Sequence, residues 1–226
     1  MFKNLLNLFF PKACAGCNSF LMERELVICT SCRHEIPLTN HHNTKDNEFV
    51  SRFYGRIPLE FGAAFFYFHK KGILQEMMHK LKYKGHEEIG EIVGVWYADE
   101  LKNSDNLQTV DIIVPVPIHK KRLRKRGYNQ VTKFGVAMAK ELQVKFDDTI
   151  LTRNVYSKTQ VRKNILERSE LIDNVFSVEY SNELHDKHFL IVDDVITTGA
   201  TLESCALEIL KIPGARVSIA CMAMTQ

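Results

Sequence analysis

Phe189-Leu190-Ile191-Val192-Asp193-Asp194-Val195-Ile196-Thr197-Thr198-Gly199-Ala200-Thr201 is the stretch that decides the fold. Four apolar residues form a short buried strand. Two adjacent carboxylates follow, and then a Thr-Thr-Gly-x-Thr loop opens a helix over 201–211. Working outward, Asp111-Ile112-Ile113-Val114-Pro115 reads as a second buried strand, stopped by proline. The spacing of Val131, Phe134, Val136, Met138 and Leu142 predicts a helix over 128–142, and 216–222 reads as a closing strand. Strands alternating with helices imply an α/β fold with a doubly wound, mainly parallel sheet. Ligands of such sheets sit at the carboxyl ends of the strands, which here means the residues after Val114 and Val192.

Upstream, 61–68 is aromatic and β-prone. Ile73, Leu74, Met77, Met78 and Leu81 recur at helical spacing until Gly85, and Ile89, Ile92, Val93, Trp96 and Leu101 suggest a second helix. The polar run 41–48 reads as a solvated connector. Three parts are expected: 1–50, a cysteine module with linker; 51–107, a helical hood; and 108–226, the α/β core.

The 226 residues are 45% hydrophobic and 25% charged, which argues against disorder. Thirty Lys plus Arg against 27 Asp plus Glu gives a net charge of +3, too mild by itself to mark a nucleic-acid binder. No apolar run reaches the roughly 18 residues of a membrane span. The N-terminal run 5–10 is short, broken by Asn7, and lacks a cleavage site, so a signal peptide is not expected. Phe2, Leu5, Leu6 and Phe9 share one helical face and suggest a short packed helix. A cytoplasmic location is expected, where thiols stay reduced.

Of six cysteines, four lie close together as Cys14-x-x-Cys17 and Cys29-x-x-Cys32. Two such knuckles complete a four-sulfur shell around one ion, and structural zinc is the expectation. An iron–sulfur cluster, a thiol redox pair and disulfides are the alternatives. A four-thiolate shell leaves no open position for catalysis; its role is to fold a segment too small for its own core. Gly16 is read as serving the turn's backbone, and Lys12 and Arg33 as offsetting thiolate charge. His34, His41 and His42 read as solvent-facing, and Cys205 and Cys221 as buried packing residues.

The loop after the acidic pair has the chemistry of anion capture. A glycine admits close backbone approach, and helix N-terminal amides and threonine hydroxyls converge on one phosphate. Asp193 and Asp194 suit neighbouring sugar hydroxyls or hydrated magnesium. A phosphate beside vicinal hydroxyls describes a ribose 5-phosphate. The bland alternative is a strand followed by a capped turn with two exposed acids.

This segment resembles the phosphoribosyl-pyrophosphate (PRPP) signature of type I phosphoribosyltransferases. The resemblance extends to the ComF family through Val114-Pro115-Val116-Pro117-Ile118, Arg124, Arg126-Gly127-Tyr128-Asn129-Gln130, Leu81-Lys82-Tyr83-Lys84-Gly85, Thr159-Gln160, Arg168, Asn174-Val175-Phe176 and the four-cysteine knot. Ile118 and Tyr128 stand where leucine and phenylalanine are usual. The resemblance implies a type I phosphoribosyltransferase-like fold with a small zinc-ribbon-like module. It implies that Asp193 and Asp194 contact the ribose of PRPP, directly or through magnesium, as the catalytic acids, and that Thr197, Thr198, Gly199, Ala200 and Thr201 cradle its 5-phosphate. Pro115, Val116 and Pro117, with Arg124 and Arg126, would face the pyrophosphate. Arg162, Lys163 and Arg168 would lie on a mobile loop that covers the site. The acceptor of the phosphoribosyl group is not legible.

Lys120, Lys121, Arg122, Arg124, Lys125 and Arg126 place six cations within seven positions. One or two suit a pyrophosphate; the surplus suits single-stranded DNA, an acidic partner, or plain solvation. The ComF resemblance links the chain to DNA uptake in natural competence and to the proteins of that machinery. Two functions follow: a magnesium-dependent phosphoribosyltransferase, or a non-catalytic PRPP sensor or DNA-handling module.

Overall fold

A computed structural model describes residues 12–102, 107, 109–154 and 175–226. The N-terminal face of Phe2, Leu5, Leu6 and Phe9, and the candidates Arg162, Lys163 and Arg168, lie outside the described residues. In chain order the elements are α1 (Thr30–Glu35), α2 (Glu48–Ser51), β1 (Phe61–Phe68), α3 (Ile73–Tyr83), α4 (Glu88–Lys102), β2 (Ile112–Pro115), α5 (Lys120–Arg126), α6 (Thr132–Leu142), β3 (Lys145–Phe146), β4 (Leu151–Arg153), β5 (Phe176–Val178), β6 (His188–Ile196), α7 (Ala200–Ile209) and β7 (Arg216–Thr225).

Five strands form one sheet in the order β1-β7-β6-β2-β3, and every pairing is parallel. β6 is central. It pairs with β7 from His188↔Arg216 to Ile196↔Met224 and with β2 from Ile112↔Phe189 to Pro115↔Val192. Both sides are covered, so both sets of alternating residues are apolar. Leu190, Val192, Ala220 and Met222 meet Met77, Leu81, Tyr97, Phe134 and Met138 of α3, α4 and α6. Phe189, Ile191, Ile219 and Cys221 meet Phe49, Phe53, Leu202, Cys205 and Ile209 from the α2 region and α7. Cys205 and Cys221 are fully buried, as expected. β4 and β5 form a separate antiparallel pair beside α7.

Several local expectations are corrected. β6 runs through the acidic pair to Ile196 instead of stopping at Val192. The helix expected from 128 begins at Thr132. Asn129 holds the preceding turn, its Nδ2 donating to the Val116 carbonyl (3.0 Å) and its Oδ1 accepting from the Val131 amide (3.4 Å). The basic run is a helix, α5, with no buried residue; Arg124, Lys125 and Arg126 suit the negative end of its dipole, Lys120, Lys121 and Arg122 stand at the positive end, and Gly127 caps it. β1, from the zone read as hood, is a full strand of the sheet.

The 41–48 run, read as a solvated connector, is exposed at 43–46 and Glu48 but is held to the domain at its two ends. His41–Asn43 form a 3-10 turn, and Asn47 caps α2 while its Nδ2 donates to the carbonyls of His41 (3.2 Å), Thr44 (2.9 Å) and Gly62 (2.9 Å). His41 and His42 are therefore buried, and only His34 faces solvent. His41 meets the edge of Tyr67, and burial holds its ring below the usual imidazole pKa. The segment 37–39 lies antiparallel along the outer edge of β1. Thr39 N donates to the Phe65 carbonyl and Tyr67 N to that of Pro37, both at 3.0 Å.

The α4–α6 contact depends on Gly94. A Cβ there would stand 2.6 Å from the Phe134 carbonyl oxygen and 2.9 Å from the Ala137 Cβ. Gly94→Ala gains helix propensity but forces two backbones apart, and should lower stability by about 1–2 kcal/mol in urea unfolding.

Candidate functional site

The carboxyl ends of β2 and β6 lie side by side. Val116 N donates to the Val192 carbonyl (2.9 Å), which sets the segment Pro115, Val116 and Pro117 next to the acidic pair. Alternation along β6 sends the two carboxylates to opposite faces of the sheet. Asp194 turns toward α3 and α6. Its Oδ2 pairs with Lys82 Nζ (3.0 Å) and accepts from Gln130 Nε2 (2.9 Å), and its Oδ1 accepts from the Val195 amide (2.6 Å). Arg126 joins this network, donating to Gln130 Oε1 (2.5 Å) with its guanidinium 5.2 Å from the centre of the Tyr83 ring.

Asp193 turns toward α7 and β4. Its Oδ1 accepts from the Asp194 amide (2.8 Å); among the described residues its second oxygen has no hydrogen-bond partner. Burial, and then the Asp194 charge, push its carboxyl up to about 8, against the attraction of Lys82 and Arg153. Arg153 lies within electrostatic reach of both Asp193 and Arg122. The two acids, equivalent in the sequence, are thus different: among the described residues Asp194 is saturated and Asp193 has a spare acceptor.

Beyond Ile196 the chain turns through Thr197, Thr198 and Gly199 into α7. Gly199 has φ +80°, a left-handed conformation that strains any residue with a Cβ, and its face rests on the Phe53 ring. With Asp193 and Ala200, Thr201 and Leu202 of the first α7 turn, this loop lines a concavity of about 50 Å³. The hydroxyl-bearing residues Thr197, Thr198 and Thr201 are exposed. Arg124 is exposed on α5, away from the Asp194 network that Arg126 joins. Lys82, Arg122 and Arg153 were not among the site residues expected from sequence. Lys82 had a signal in its Leu-Lys-Tyr-Lys-Gly run; Arg122 and Arg153 had none beyond charge.

The four cysteines come together as expected, their sulfurs all within 4.8 Å of one another. A tetrahedral ion with sulfur ligands at about 2.3 Å needs sulfurs about 3.8 Å apart. Cys17 and Cys29 sulfurs are 3.7 Å apart. The Cys14 sulfur accepts from the amides of Gly16 and Cys29, both at 3.3 Å, the kind of support that steadies a thiolate. The left-handed residue of this turn is Asn18, not Gly16. Gly16 is required for space: a Cβ would lie 2.6 Å from Ile73 Cγ2 and 3.0 Å from the Cys32 sulfur. Arg33 does not serve the thiols; its guanidinium lies 4.6 Å from the centre of the Trp96 ring. The cation that reaches the knot is Lys80, whose Nζ donates to the Cys14 carbonyl (3.1 Å) and Asn18 Oδ1 (2.6 Å).

Comparison with known proteins bears on this arrangement. Residues 132–225 match the family described as Phosphoribosyl transferase domain. The chain is 30% identical over 155 residues to the DNA utilization protein YhgH of Salmonella typhimurium, covering 67% of each chain, and 29% identical to that of Escherichia coli with the same coverage. It is 31% identical over 114 residues to Competence protein F of Haemophilus influenzae, half of each chain. The chain belongs to the ComF family. As a ComF-family protein it carries a phosphoribosyltransferase domain, and both acids and the threonine–glycine loop fall inside the matched region. Among the described residues no helix is long and apolar enough to cross a membrane.

The Asp194 network predicts a stability effect. Lys82→Met leaves a nearly buried carboxylate without its cation and should cost about 3 kcal/mol in urea unfolding, whereas the exposed Lys125→Met should cost under about 0.5 kcal/mol.

Proposed function

We propose that this ComF-family chain binds PRPP and transfers its phosphoribosyl group to an acceptor. The observation that carries this reading is the 197–201 loop, an exposed threonine–glycine turn at a helix N-terminus, directly beside an acid with a spare oxygen. The 5-phosphate takes the loop of Thr197, Thr198, Gly199, Ala200 and Thr201. The ribose hydroxyls lie against Asp193. Asp194 is a positioning residue, tying β6 to α3 through Lys82 and to the turn before α6 through Gln130. The pyrophosphate faces Pro115, Val116 and Pro117. Arg153, within electrostatic reach of Asp193, and Arg122, within reach of Arg153, are further candidates for its charge beside Arg124 and Arg126.

The donor set fits magnesium: one carboxylate with a free oxygen, beside a ligand that brings its own phosphate oxygens. When bound, magnesium neutralises charge on the leaving pyrophosphate. The residues of this chain hold the two ends of the substrate apart and place positive charge where negative charge develops. We assign α3 and α4 the hood role for the acceptor, since Lys82 and Tyr83 stand over the Asp194 side. We also assign zinc to Cys14, Cys17, Cys29 and Cys32, on the sulfur spacing and the amide bonds to the Cys14 sulfur.

A second reading is favoured by α5, whose cations stand on a helix that buries nothing. With relatives named for DNA utilization and competence, a PRPP-sensing module that handles single-stranded DNA alongside competence proteins is the alternative. Incubating the protein with PRPP, magnesium and a panel of acceptors and measuring pyrophosphate release separates the two. Acceptor-dependent release supports transfer; tight PRPP binding with no release from any acceptor supports sensing.

Two further outcomes are expected. Asp193 is largely protonated in the free protein at neutral pH, so binding magnesium and PRPP releases a proton and strengthens as pH rises from about 7 to 9. Calorimetry in buffers of different ionisation enthalpy reads that proton, and Asp193→Asn should abolish it. Elemental analysis should find one zinc per chain, and Cys32→Ser should lose the zinc and lower the thermal midpoint.

A further inference from the structure

Two arginines from the segment after α2 reach the anion loop from beneath. Arg52 Nη1 donates to the Thr197 carbonyl and its Nη2 to the Thr225 carbonyl at the end of β7. Arg56 Nη1 donates to the Thr198 carbonyl (3.2 Å) and to the Arg52 carbonyl (3.0 Å), and its Nη2 pairs with Glu203 in the first turn of α7. Phe53 lies between them under Gly199.

The consequence lies in the peptide plane. All described peptides are trans. In a trans peptide the carbonyl and the amide of the next residue point in opposite directions. Fixing the Thr197 carbonyl toward Arg52 aims the Thr198 amide the other way, and fixing the Thr198 carbonyl toward Arg56 does the same for the Gly199 amide. Among the described residues neither amide has a hydrogen-bond partner. Two adjacent free amides on one side of a turn, the second belonging to the left-handed Gly199, form an anion-binding nest.

We propose that Arg52 and Arg56 are positioning residues of the phosphate site, holding two consecutive carbonyls on the outer side of the loop so that the Thr198 and Gly199 amides face the bound phosphate. This rests on the reading of that loop as an anion site. The role belongs to the guanidinium fork rather than to charge: Arg52 spans the Thr197 carbonyl of the loop and the Thr225 carbonyl at the end of β7, and a lysine ammonium lacks that planar pair of donors.

The test is a titration of the full chain with ribose 5-phosphate and, separately, with magnesium pyrophosphate, followed by calorimetry and by the amide ¹⁵N shifts of Thr198 and Gly199. In the wild type, ribose 5-phosphate should shift both amides. Arg52→Lys should weaken ribose 5-phosphate by about tenfold or more, the equivalent of one to two lost hydrogen bonds, and leave magnesium pyrophosphate within about twofold. Arg56→Lys provides a second variant with the same expected selectivity should the first fold poorly. Arg52→Lys and Arg56→Lys binding ribose 5-phosphate as well as the wild type would overturn the proposal alone. Equal loss for both ligands would overturn it too, as general damage. A wild type blind to ribose 5-phosphate would overturn the anion reading and the proposal with it.

Discussion

The pairing of β6 with β7 on one side and β2 on the other is the constraint on which the rest depends. Because all three strands run parallel, their carboxyl ends fall on one edge, where the segment after β2 and the threonine–glycine loop emerge together. The register also fixes the two carboxylates. Asp193 lies opposite Cys221, and the pleat turns Asp193 and Asp194 to opposite faces. A shift of one residue would exchange their environments and put the saturated acid where the open one stands.

Much of this was legible in the sequence because it is written locally. A run of four buried apolar residues, an acidic pair and a threonine–glycine loop that opens a helix are contiguous, while aromatic β-propensity located β1 and hydrophobic period located α3 and α4 to within a few residues. The paired CxxC knuckles encoded a cluster of four thiols for the same reason. What stayed hidden depends on contacts between distant segments. Arg52 and Arg56 bond to carbonyls 145 and 142 residues away, and a carbonyl has no letter in a sequence. His41 and His42 looked solvated in a polar run; Asn47 pins that run onto β1, which no periodicity announces. The difference between Asp193 and Asp194 arises from Lys82, on α3, and Gln130, in the turn before α6.

The cysteine knot and the acidic pair are physically joined by α3. Lys80 holds the knot through the Cys14 carbonyl, and Lys82, two residues on, holds Asp194. Neighbouring positions on one helix thus serve two sites, and the packing of Ile73 against Gly16 sets where that helix begins.

The segment 37–39 along β1 has a consequence for how the molecule meets copies of itself. An open parallel sheet exposes unpaired backbone at its outer strands, a template for edge-to-edge aggregation. Here one border is blunted by an antiparallel cover from its own chain. The other, β3, is only two residues long, and its Lys145 pairs with Asp147 just beyond it. Continuous sheets built from several molecules are thereby disfavoured at both borders of this sheet.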